Sequence, residues 1–130
     1  MGIFTRFRDI VGSNINSMLD RAEDPEKLIK LMIQEMEDTL IELKSACAGV
    51  MAESKKIERQ LLALDQRMDY WDDKANLAVN KGRDDLARQA LLEKRSYSRR
   101  TESLTNELAE HEALLEQYKV DIRQLEEKMK

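Results

Sequence analysis

A chain of 130 residues with 37% charged side chains, 5% aromatic, four glycines and one proline has the composition of long helices, not of a globule with a wide core. Its net charge of −4 argues against general nucleic-acid binding, which rests on phosphate neutralisation. No apolar run approaches the roughly 18 residues of a membrane-spanning helix, and the Glu-, Lys-, Arg-, Leu- and Ala-rich runs show no period-two alternation that would support β structure.

Residues 2 to about 22 read as a separate amphipathic helix. Wound at about 100° per residue, Ile3, Phe4, Phe7, Ile10, Val11, Ile15, Met18, Leu19 and Ala22 share half the circumference, with Asp9, Ser13, Asn16 and Asp20 opposite. Arg8 and Arg21 lie at the margins, where a long side chain buries its stem and keeps its charge in water. Asn14 intrudes on the apolar face. Counting the amino terminus, Arg6, Arg8 and Arg21 against Asp9 and Asp20, the segment carries +2 in an acidic chain. A wide apolar face with marginal arginines describes a helix lying in a bilayer interface, which is the favoured reading, with docking on its own protein or another subunit as the alternative. The start has no signal-peptide layout, and Arg6 stands where a myristoylation motif wants Ser or Thr.

Glu23-Asp24-Pro25-Glu26 breaks and restarts the chain. Proline disfavours helix in the residue before it but suits the first helical position, Asp24 is a good N-cap, and Glu26 complements the helix dipole. Pro25 is therefore read as a corner, with a second helix over about 25–80 that would be roughly 84 Å long. Along it Ile29, Ile33, Met36, Leu40, Leu43, Cys47, Val50, Ser54, Ile57, Leu61, Leu64, Met68, Trp71, Ala75 and Ala78 alternate by three and four. Only Ser54 breaks that seam, and a 3.5-residue repeat of this length requires a partner.

The partner lies downstream. Residues 81–84 form the next break, with Gly82 as terminator and Asp84 as the following N-cap, and a third helix is expected over about 85–130. Its stripe is Ala87, Ala90, Lys94, Tyr97, Thr101, Leu104, Leu108, His111, Leu115, Tyr118, Ile122, Leu125 and Met129. Folded back at Gly82 so that partners sum to 165, the stripes match throughout, from Ala78 with Ala87 to Met36 with Met129. Ser54 falls opposite His111, the only histidine, as a polar layer that fixes register. The expected fold is thus all-α: a long antiparallel two-helix coiled-coil hairpin over 24–130, preceded by a short N-terminal amphipathic helix over 1–23. This register pairs Lys130 with Glu35 and leaves Leu28, Ile29, Leu31, Met32 and Ile33 uncovered, so another chain covers them or the protein continues, which is the favoured reading.

Chemistry is sparse. Cys47, the one cysteine, lies on the seam; it reads as a small core hydrophobe in a reducing compartment, with a redox or crosslinking role as the alternative. A lone histidine without clustered thiols gives no metal site, and the absence of a glycine-rich phosphate loop or convergent acid–base groups argues against an enzyme and against any cofactor. Residues 81–100 hold seven basic against three acidic side chains, and 101–130 hold four against eight. That asymmetry reads as solvated helix faces, or as guidance for lateral assembly or partner docking.

Met1-Gly2-Ile3-Phe4, Asp9-Ile10, Asn14-Ile15-Asn16, Ala22-Glu-Asp-Pro-Glu-Lys27, Met32-Ile-Gln-Glu-Met-Glu-Asp-Thr-Leu40 and Asp85-Leu-Ala-Arg-Gln-Ala-Leu-Leu-Glu-Lys94 resemble the phage shock protein A (PspA) family, related to the plastid vesicle-inducing protein and to ESCRT-III proteins. The resemblance covers essentially the whole chain, and because that family is longer it implies an N-terminal fragment. It implies a membrane-stress protein that binds and inhibits an AAA+ transcription activator (PspF-like) through the hairpin. It also implies binding of anionic phospholipid at the cytoplasmic face of the inner membrane, and self-association into larger scaffolds. The lipid helix would be Ile3 to Leu19, inserting Phe4, Phe7, Ile10, Val11, Ile15, Met18 and Leu19. A structural coiled-coil adaptor without lipid binding is the alternative.

Overall fold

The computed structural model describes residues 2–129; Met1, which opens the family-like motif and supplies the amino-terminal charge, and Lys130, the last residue of the register, lie outside them. The order is α1 (Ile3–Gly12), α2 (Ile15–Arg21), α3 (Pro25–Asn80) and α4 (Asp84–Lys128), with no strand among the described residues. The long pair α3 and α4 pack together as an antiparallel hairpin, so the all-α fold expected from the seams is the fold observed.

The amphipathic segment is two helices instead of the single one expected. The Ser13 hydroxyl donates to the Ile10 carbonyl at 2.8 Å, while Asn14 accepts from the Ser17 amide at 3.1 Å and caps α2. Gly12, Ser13 and Asn14 are poor helix formers; the glycine is too free and the two short polar side chains compete for backbone groups. Three in succession outweigh the apolar periodicity on either side. At the next break the Asp24 carboxylate accepts from the Lys27 amide at 3.1 Å, and Pro25 is the first residue of α3.

At the other end of α3 a Schellman closure stops the helix. The Arg83 amide reaches the Ala78 carbonyl at 2.8 Å, the Gly82 amide reaches that of Val79 at 3.0 Å, and Gly82 sits at φ +72°. Here the structure differs by one residue from the expected boundary. The Arg83 carbonyl already accepts the first bond of α4, so Asp84 is helical and Arg83 holds the cap position assigned to Asp84. The Arg83 guanidinium, 3.3 Å from Asp85, and then the Leu86 amide hold the Asp85 carboxyl below the usual carboxylate range. No atom would meet a Cβ at Gly82, so Gly82→Ala is expected to cost only the left-handed backbone penalty, about 1–2 kcal/mol, read as a lowered thermal midpoint with unchanged helicity.

Two compact units divide the chain: Met1–Val50 with Leu114–Lys130, and Met51–Ala113. In the second, Ser54, Ile57, Ala75, Ala78, Ala87 and Ala90 are buried. The Lys94 ammonium leaves its seam position opposite Trp71 to pair with Asp72 at 2.8 Å, within one residue of the expected register. Ser54 Oγ and His111 Nδ1 are both buried and neither finds a hydrogen-bond partner among the described residues. Each therefore costs stability, as an unpaired polar group in a seam does.

In the first unit, Phe7, Met36, Leu43, Tyr118 and Leu125 form the buried core, with Leu40, Cys47, Val50, Ile122 and Met129 packed against it. Leu43 and Leu125 are fully enclosed, at 0% exposure. Met32, one of the residues left uncovered by the hairpin register, is packed here too, in the cluster that this chain's own N-terminal helix joins. That covering is neither of the two expected from the register. Ile29, Leu31 and Ile33 remain exposed.

Candidate membrane-binding site

α1 is intrinsically weak. It has ten residues, no side-chain N-cap, no acid in its first turn and no base in its last. Helices this short are marginal alone in water, so its folding depends on what its apolar face meets. In this structure that face meets the first unit. Phe7 is 5% exposed within the core, and Phe4 stacks on Tyr118 with ring centroids 5.4 Å apart. Ile3, Ile10, Val11 and Ile15 pack against the same cluster. Of the remaining residues assigned to the face, Leu19 is half-buried and Met18 is exposed. Met18 borders a cleft of about 160 Å³ that Ile10, Met32 and Met36 also line.

Among the described residues the arginines assigned to the margins form no ion pair. Arg8 is exposed, with its Nε 3.5 Å from the Phe4 carbonyl of its own helix. Arg21 donates to the Ser17 hydroxyl at 2.9 Å. Arg6, not assigned to the apolar face or its margins from the sequence, is the arginine that engages α3. Its guanidinium pairs with Glu42 and, at 3.6 Å, with Glu35. At the other end of α1 the Lys128 ammonium donates to the Val11 carbonyl at 2.8 Å and lies 3.4 Å from that of Ser13. A helix with no base in its own last turn thus receives one from α4, where it complements the negative end of the dipole.

Burial on α3 and α4 shows why α1 fits. Beside the seam, Met32, Thr39 and Ala46 recur every seven residues on α3, and Leu114, Asp121 and Lys128 do so on α4; none is exposed. Thr39 is fully buried and Asp121 is 2% exposed, accepting from Gln117 at 2.7 Å. Continued by seven, the two stripes reach Glu53 and Glu107, both exposed. This second stripe was available in the sequence, but its polar members hid it from a search for apolar positions. Arg6 was also legible: on the helical wheel it lies about 40° outside Ile10, at the margin opposite Arg8.

No helix among the described residues is long and apolar enough to cross a membrane, and among them no three His, Cys, Asp or Glu side chains are placed to hold a metal ion. What the arrangement can do is present or withhold one apolar helix face.

Short amphipathic helices ahead of a long antiparallel helical hairpin place the chain in the class of all-α hairpin proteins. The chain belongs to the PspA/IM30 family, whose profile matches residues 2–130. It is 36% identical over 129 residues to the membrane-associated protein Vipp1 of Nostoc punctiforme, an alignment covering 99% of this chain and 50% of that protein. To the chloroplastic membrane-associated protein VIPP1 of Oryza sativa it is 36% identical over 127 residues, 98% of this chain and 40% of the relative. A phage shock protein A homolog of Deinococcus radiodurans is 29% identical over 129 residues, 99% and 58% respectively. The chain spans about half the length of the curated relatives it matches.

Proposed function

We propose that this chain is the N-terminal part of a membrane-associated stress protein, with its lipid contact in the α1–α2 segment and its protein contacts on the hairpin. The observation that carries the reading is the one-sided α1, whose face of Ile3, Phe4, Phe7, Ile10 and Val11 is flanked by Arg6 and Arg8 in an acidic chain. Such a helix gains apolar burial in a bilayer interface, and each cation near an anionic surface adds ~1 kcal/mol. Ile15, Met18, Leu19 and Arg21 would extend the contact through α2. The relatives' names, membrane-associated protein and phage shock protein, support a membrane-linked stress role. The finer reading is peripheral attachment at the cytoplasmic face of the inner membrane, self-association, and hairpin binding that inhibits an AAA+ transcription activator.

The test of the lipid contact is flotation with vesicles of phosphatidylglycerol and phosphatidylcholine. Phe4→Glu with Phe7→Glu is expected to abolish binding; a double variant that floats like the wild type removes the basis of the reading. For the activator, pull-down with an ATPase readout decides, and an ATPase rate unaffected by the chain excludes inhibition. A structural adaptor is the second reading, favoured by the enclosure of Phe7 in the first unit's own core. Lipid-independent protection of α1 with no flotation of the wild type is the result it predicts.

A further inference from the structure

The face proposed to meet lipid is the face that α1 buries against its own hairpin, so both cannot be occupied at once. We infer that Arg6 and Lys128 form a two-ended electrostatic latch holding α1 in the docked, lipid-incompetent position, and that an anionic membrane surface opens it by taking Arg6 from Glu35 and Glu42. This rests on the lipid reading above and adds its regulation.

The latch has two independent parts. At one end Arg6 faces two carboxylates of α3, both about half-exposed, so its partners are replaceable by phosphates at a bilayer surface without first breaking a sealed core. At the other, Lys128 supplies a cation to the carboxyl end of α1 and is donated by α4. Each contact spans elements far apart in sequence, so neither stabilises α1 once it leaves. Both therefore act on the docking equilibrium and not on the helix itself. Binding through the undocked fraction weakens apparent lipid affinity by that fraction, so loosening the latch tightens membrane binding. For partly exposed pairs the expected change is about two- to five-fold.

Lys128→Ala separates this device from ordinary charge attraction. Removing a cation weakens non-specific binding to an anionic surface, whereas the latch requires the variant to bind more tightly. Affinity for phosphatidylglycerol-containing vesicles is measured for the wild type, Lys128→Ala, Glu35→Gln with Glu42→Gln, and the charge-matched control Glu110→Gln with Glu112→Gln. Amide hydrogen exchange over Ile3–Gly12 is followed in parallel without vesicles. Both latch variants are expected to exchange faster and bind about two- to five-fold more tightly than their controls, the wild type for Lys128→Ala and the charge-matched pair for the glutamine variant. Exchange over α1 unchanged in Lys128→Ala overturns the latch whatever the vesicles show. Faster exchange without tighter binding, while Phe4→Glu with Phe7→Glu still abolishes flotation, overturns the coupling and leaves the lipid reading intact.

Discussion

Leu125→Ala is expected to lower the unfolding free energy by about 2–5 kcal/mol, read as a fall in the urea midpoint with little change in slope. Leu125 is fully enclosed in the first unit, among Met36, Leu43, Tyr118 and Phe7. Truncation removes its transfer free energy and leaves a cavity between two long helices that cannot collapse without breaking the seam on either side. Alanine is the better helix former, so intrinsic propensity works against the loss and the measured change reports packing. Leu62→Ala is the matched control: at 62% exposure the same chemical change should stay within about 0.5 kcal/mol. Comparable losses at both positions would mean that the seam is not where the burial places it. A domain of this size has only about 5–15 kcal/mol in hand, so the Leu125 variant should be visibly less stable at ambient temperature.

Phe7→Ala is expected to act locally. A buried phenylalanine cut to alanine loses about 3–5 kcal/mol, but α1 is ten residues long and can leave as a unit, so the loss is bounded by its docking free energy. Hydrogen exchange over Ile3–Gly12 should accelerate about a hundred-fold or more, up to the limit of a free helix, while exchange across Met51–Ala113 stays unchanged. Fast exchange of α1 already in the wild type would show that the docked arrangement is not the solution state. The same variant leaves the Arg6 ion pairs, the Lys128 contact and the packing of Ile3, Phe4, Ile10 and Val11 in place, so whatever protection survives is their joint contribution.

Several features were readable because each is a local or periodic property. The three-four alternation from Met36 to Ala78 and its counterpart from Ala87 to Met129 coincide with the buried and half-buried positions, since a seam is one face of a helix and a face is a spacing. Asp24-Pro25 and Gly82 were legible because capping and left-handed backbone depend on residue type at one position. The interruption at Gly12-Ser13-Asn14 was legible in the same terms. A period count nevertheless runs straight through it, because the apolar pattern resumes in phase at Ile15 and Met18.

Residue order alone was enough to read that this chain is helical, where α3 and α4 start and stop to within a residue or two, and that the two fold back on each other close to one register. All of these follow from forces acting within a few residues or from two stripes matched against each other. The partner of the amphipathic face was decided only by the tertiary structure. The spacing of apolar residues tells how one-sided a helix is, and lipid and protein reward that sidedness equally. Folding set α1 over Met36 and Tyr118, gave Arg6 to Glu35 and Glu42, and brought Lys128 to the end of a helix more than a hundred residues away in the chain. The seven-residue stripes beside the seam mark the face that α1 covers but not which segment covers it, so the partner itself emerged only in three dimensions.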